Sequence, residues 1–233
     1  MTVEQVLAKL RKLADPEKIA FKKKKFGVVS QNALGVYHKD LKVLAKEYGH
    51  QKELGLALYD TGIYEGKLLC SKLLRPKDVT KELAEKWVKD FDNWEICDSF
   101  CMGLVAKSSL ALDRIQEWTG RKKEFEKRAA FATMAAYCMA DKKAANSVYE
   151  AFLPIIKKAA TDNRLYVKKA VNWALRSIGK RNIDLNKKAI KTANEILKIE
   201  DKAAQWIAKD ALRELEKEGV NILDYPRAIY RKD

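Results

Sequence analysis

One recurring pattern constrains the fold of this chain more than any other. An aromatic residue opens a small, apolar helix, and a basic residue follows three places later. Tyr64 leads to Lys67 in YEGKLLCSKLL, Phe125 to Arg128 in FEKRAAFATM, Tyr166 to Lys169 in YVKKAVNWAL and Trp206 to Lys209 in WIAKDALREL. Trp94 takes the same slot in WEICDSFCMG. The anchors at 64, 94, 125, 166 and 206 fall 30, 31, 41 and 40 residues apart. That length suits helix-pair repeats of the HEAT or armadillo type, in which stacked neighbours bury a shared core. Segments such as VEQVLAKLRKL, DLKVLAKEY and NKKAIKTANEIL carry apolar residues at three- and four-residue spacing, the period of a helix with one buried face. Strand alternation and hairpin turns are absent. Short breaks at DPEK, RPKD (75–78), TGRKKE (119–124) and TDNR (161–164) fit helix stops and N-caps. The expected fold is all-α: a curved α-solenoid of HEAT-like repeats, an α–α superhelix, spanning residues 1–233 as a single domain.

Charge points to a partner. Lys and Arg total 47 against 32 Asp and Glu, a net +15. Balanced surface charge needs no partner, but this excess favours a polyanion, because each neutralised phosphate releases counterions. Nucleic acid is the leading candidate; an acidic membrane surface lacks an anchor here. No apolar run approaches the length of a membrane span. The N-terminus, MTVEQVLAKLRKLADPEK, is amphipathic and charged, unlike a secretory signal, so a cytoplasmic location is expected. Cys70, Cys97, Cys101 and Cys138 form no Cys-x-x-Cys pair and only His38 and His50 accompany them. Buried reduced thiols are expected, with no metal and no cofactor. Glycine-rich phosphate loops and nucleophile elbows are also absent.

The Trp94 slot departs from the pattern. Its third position is Cys97, and Asp98 stands beside it. If equivalent helices line one concave face, Lys67, Arg128, Lys169 and Lys209 form a row of cations with one carboxylate in its midst. Cations would track a phosphate backbone; the acid serves another purpose. A carboxylate near a sugar can stabilise an oxocarbenium-like transition state and orient water at the anomeric carbon. The Trp94 indole would favour a cationic base. Trp173 shares a helix face with Lys169 and Arg176 and adjoins Lys168, whereas a core indole would have apolar neighbours. Arg128 has the geometry to clamp a phosphate bidentately. The structural alternatives are a core Trp with a capping Asp, and an Arg128 paired with Glu124. The run Lys22–Lys25 reads as a solvated loop, or else as a contact to the DNA backbone.

At these residues the chain resembles the AlkD and AlkC group of DNA alkylation repair proteins, DNA glycosylases of HEAT-like repeats. NWEICD, EKRAAF and YVKKAVNWALR carry the resemblance in the family's order, supported by LADPEK and FGVVSQNALGVYHKDLKVLAK. It implies hydrolytic excision of cationic N3- and N7-alkylated purines from double-stranded DNA during base excision repair, by a monomer without metal or cofactor. Asp98 matches the catalytic aspartate. Trp94 and Trp173 match indoles packed around the damaged nucleotide, and Arg128 matches an arginine contacting DNA. Lys67, Lys168, Lys169, Arg176 and Lys209 are the expected phosphate contacts. One departure stands out: between DPEK and FGVV the chain has only IAFKKKK, where the family's glycosylases fit an additional short helix near the lesion. Small misplacement of a reactant costs large rate factors. Three readings follow: an alkylpurine glycosylase, a non-catalytic binder of distorted or branched DNA, and a protein-binding scaffold.

Overall fold

The computed structural model describes residues 1–227 and 229, and every regular element among them is helical. Helices α1 (Val3–Lys12), α2 (Pro16–Phe26), α3 (His38–Tyr48), α4 (Lys52–Asp60), α5 (Tyr64–Leu73), α6 (Lys81–Asp90) and α7 (Trp94–Gly103) belong to one compact unit, Met1–Leu110. From Ala111 a second unit holds α8 (Ala111–Trp118), α9 (Glu124–Ala140), α10 (Asn146–Glu150), α11 (Phe152–Ala159), α12 (Leu165–Gly179), α13 (Ile183–Leu197) and α14 (Lys202–Leu215). The all-helical class read from the periodicity is the class observed.

Caps set the helix starts. Thr2 and Gln5 form a capping box on α1, and Asn93 Oδ1 accepts from the Ile96 amide at 3.0 Å on α7. Asp201 accepts from Ala203 and Ala204 on α14. Such side chains satisfy orphan first-turn amides, at about 1 kcal/mol each. Tyr64 and Trp94 are the first residues of α5 and α7, and Phe125 and Tyr166 the second of α9 and α12. Trp206 lies one turn further in, because the Asp201 cap starts α14 earlier.

The run Lys22–Lys25 is helical rather than a loop. Asp15 caps α2, Pro16 presets its first turn, and Gly27 closes it at φ 66°. Lysine is itself a good helix former.

In the first unit, Phe100 packs against Trp87 with ring centroids 4.7 Å apart, and against Tyr59 and Phe91 at 5.5 and 5.8 Å. In the second, α9 packs against both α12 and α8, and it buries Ala129, Ala130, Ala132 and Ala135, small side chains that allow close helix approach. All four cysteines are buried thiols outside any disulfide, as expected; burial pushes the Cys70 and Cys138 thiols up to about 12.

The position after each aromatic anchor is buried in every repeat, and in the first three it is a glutamate: Glu65, Glu95 and Glu126, followed by Val167 and Ile207. Glu65 is wholly buried. Its carboxylate accepts from the amides of Leu34, Gly35 and Val36 at 2.9, 2.8 and 3.2 Å, which fixes the strap between α2 and α3 on α5. Gly35 allows this approach: it sits at φ 84°, and a Cβ there would lie 2.0 Å from the Asp15 carbonyl oxygen. Glu65→Ala strands three amides and should lower the unfolding free energy by at least ~2 kcal/mol. A urea midpoint equal to that of the parent chain would contradict this account.

Candidate nucleic-acid interface

On α7, residues four apart form one strip. Trp94 and Asp98 are half-buried and Met102 is exposed, while Ile96, Cys97, Phe100 and Cys101 face the core. Asp98 therefore stands one turn from Trp94 on the outward side of its helix. The indole is held in place: Trp94 Nε1 donates to the Phe26 carbonyl at 2.9 Å, which joins the end of α2 to the start of α7.

Beside them lies a charged network organised by Glu95. Lys22 Nζ from α2 approaches its two oxygens at 3.1 and 3.2 Å. His38 Nε2 from α3 lies 2.5 Å from Oε1, and the Tyr64 hydroxyl of α5 donates to Oε2. Burial pushes the Glu95 carboxyl upward, but the His38 and Tyr64 hydrogen bonds and the Lys22 charge outweigh it and hold it at about 2. Burial and the adjacent Glu95 charge push the Tyr64 hydroxyl well above its ordinary range. One carboxylate thus pins three helices around the base of the Trp94–Asp98 strip.

Lys67 does not stand free on α5. Its ammonium pairs with Asp90 at 2.7 Å and lies 5.2 Å from the Tyr59 ring centroid, with 13% of its side chain exposed. A phosphate contact there would have to share Lys67 with Asp90.

In the second unit α12 presents the other strip. Lys169 is exposed, Trp173, Arg176 and Lys180 are half-buried, and Val167, Ala170, Val171 and Ala174 point inward. Lys169, Trp173 and Arg176 share a face, as their spacing requires. Arg176 Nε donates to Asn172 Oδ1 at 2.8 Å and Nη1 pairs with Glu214 of α14; Lys180 meets the same carboxylate at 2.5 Å. Lys168 lies over the Trp206 ring, 4.9 Å from its centroid. Lys209 is exposed on α14. Trp173 also lines a cavity of about 320 Å³ with Met139, Ser177, Lys180 and Asn221.

Arg128 is placed differently from the surface clamp its sequence context suggests. It is 6% exposed, and Nη1 donates to the Tyr166 carbonyl at 2.7 Å. Glu124, the acid considered as its partner, accepts from the Tyr166 amide at 2.9 Å. The two side chains of α9 hold both main-chain groups of one residue at the start of α12.

The sequence matches the family of the DNA alkylation repair enzyme over residues 6–215. The chain belongs to the DNA alkylation repair enzyme family. Its fold is similar to a solved structure described as "a new family of proteins related to the HEAT-like repeat DNA glycosylases with affinity for branched DNA structures", at a TM-score of 0.75 and 19% identity. That similarity covers 98% of this chain and 99% of the other and places the fold among HEAT-like helical repeats. No curated protein matches the sequence.

In this member of the DNA alkylation repair family, Glu95, Lys22, His38 and Tyr64 support the strip, a grouping the sequence spacing does not announce. The available signal was the repeated aromatic–glutamate pair, Tyr64–Glu65, Trp94–Glu95 and Phe125–Glu126. Because Glu95 titrates below an ordinary glutamate (~4.3), it stabilises the fold above that value, and the contribution is lost as pH falls toward about 2. Glu95→Gln should therefore cost on the order of 2–3 kcal/mol at pH 7, and the gap to the parent chain should narrow by pH 3. Urea unfolding at the two pH values measures both; a gap that does not change with pH would refute the assignment.

Proposed function

We propose that the chain binds DNA by phosphate contacts from its outward helix faces and prefers branched or distorted duplexes to regular ones. The α12 strip carries this reading. It sets one indole, Trp173, among three cations: Lys169 is exposed, Arg176 and Lys180 meet Glu214, and Arg176 also lies 3.8 Å from Asp210. Cations fix a backbone without reading sequence, and an indole beside them stacks on a base or sugar that a distortion has opened. The net +15 supports a polyanionic partner. The described affinity of the structurally similar protein for branched DNA supports the preference.

A second reading rests on a separate observation, the Trp94–Asp98 strip. Asp98 is suited to hydrolysis of the N-glycosidic bond of a cationic alkylpurine. In that reaction water adds to C1′, and the C1′–N bond breaks with its electron pair passing into the purine, which leaves neutral. Asp98 would stabilise the oxocarbenium charge and take the proton of the attacking water. Within the second unit, Arg128 acts as a positioning residue for the α12 strip, through the Tyr166 carbonyl.

Binding should weaken steeply with salt on any duplex, and Lys169→Gln should lower the slope of log K against log salt by about 1. Fluorescence anisotropy on a junction and on a linear duplex measures both slope and preference; salt-independent binding would refute the phosphate reading. Methylated duplex DNA tests the second reading. Release of 7-methylguanine or 3-methyladenine that Asp98→Asn abolishes would establish excision, and no release by the parent chain would leave binding alone.

A further inference from the structure

Helix α2 buries no residue fully. Its outward side exposes Phe21 (46%) and Phe26 (47%), whose rings meet edge to face with centroids 5.9 Å apart. The Lys25 ammonium lies 5.1 and 5.4 Å from the two centroids, and Lys23 and Lys24 are exposed beside it. Burying phenyl rings is favourable and exposing them is not, so a pair left in solvent on a helix this well anchored marks a contact surface. The anchoring is specific. Lys22 is locked to Glu95, and the Phe26 carbonyl is held by the Trp94 indole.

We propose that Phe21 and Phe26 form an aromatic wedge that stacks on the open base-pair faces at a DNA branch point, while Lys23, Lys24 and Lys25 hold the phosphates of the diverging strands. The proposal rests on the DNA-binding reading above and names the residues that would confer its preference for branches. A continuous duplex keeps its base faces stacked and out of reach, whereas a branch exposes them, and aromatic side chains stack on such faces or part neighbouring steps. The charge pattern favours DNA over a lipid surface. A membrane-seated helix separates its cations from its apolar face; here the Lys25 ammonium sits over both rings, and insertion into acyl chains would carry the charge with them.

The test compares the parent chain with the double variant Phe21→Ala/Phe26→Ala on a three-way junction and a linear duplex of matched sequence, at one salt concentration. The rings are exposed, so the variant should keep the parental unfolding midpoint. Its junction affinity should fall about 10-fold or more, the equivalent of roughly 1.4 kcal/mol, with linear affinity within about 2-fold. A 2-aminopurine at the branch should change fluorescence with the parent chain and not with the variant. Equal losses on both DNAs, or unchanged junction affinity, would overturn the wedge. Binding to phosphatidylserine vesicles that the variant loses while keeping its junction affinity would also overturn it and assign the rings to a lipid surface. If the parent chain binds neither DNA, the DNA-binding reading itself fails, an outcome distinct from failure of the wedge alone.

Discussion

A carboxylate taken out of water must be hydrogen-bonded or paired, because the cost of burying it unsatisfied exceeds what a small unit has to spare. Three of the five repeats place a glutamate in such a position, directly after the aromatic anchor. Each has partners of its own. Glu65 takes three backbone amides, Glu95 takes Lys22, His38 and Tyr64, and Glu126 lies near Arg121 and Lys123 at 3.4 and 3.3 Å. In the last two repeats Val167 and Ile207 fill the slot by apolar packing. The same geometric position is thus solved by electrostatics in the N-terminal repeats and by hydrophobic burial in the C-terminal ones. The strap between α2 and α3 is fixed by Glu65 together with the burial of Val28 and Val36.

The fold was legible because helical periodicity and caps are local. Tyr64, Trp94, Phe125 and Tyr166 mark helix starts since each follows a break or a capping residue, and short-range rules read those directly. Side-chain partnership is not local. Glu95 draws its partners from 73, 57 and 31 residues away, and nothing in the spacing WEICD announces them. Glu95 is the more deeply buried acid of that stretch, and Asp98 is half-buried one turn on. Arg128 illustrates the opposite error. A basic residue at the third place after an aromatic looked like a surface cation, but that register turns it toward the start of α12, where the Tyr166 carbonyl awaits a donor. Lys169 and Lys209 share the register and are exposed. The register alone therefore does not decide whether a cation meets solvent or a neighbouring backbone.

Two kinds of cation follow from this. Lys22, Lys67 and Arg176 are engaged by acids, and moving Lys22 or Arg176 toward a phosphate would leave a partly buried carboxylate behind. Lys23, Lys24, Lys169 and Lys209 are exposed, and a phosphate approaching them displaces mainly water and counterions. The second group can supply affinity at little structural cost; the first shapes the surface on which that affinity acts.

Helix α2 links these strands of the argument. It meets α7 through a side-chain ion pair, Lys22–Glu95, and through a main-chain carbonyl, Phe26 to Trp94. The second contact is indifferent to pH, whereas the first weakens as Glu95 protonates toward about 2. Over the pH range in which proteins ordinarily work, both hold. The orientation of the Trp94 indole is then set from α2, and the exposed rings of α2 are set from α7. Helix α2 supports the start of α7 and adds aromatic and cationic surface beside it. The Trp94–Asp98 strip and the exposed rings of α2 are consequently tied through one main-chain hydrogen bond and one ion pair, so a shift of either helix strains both contacts.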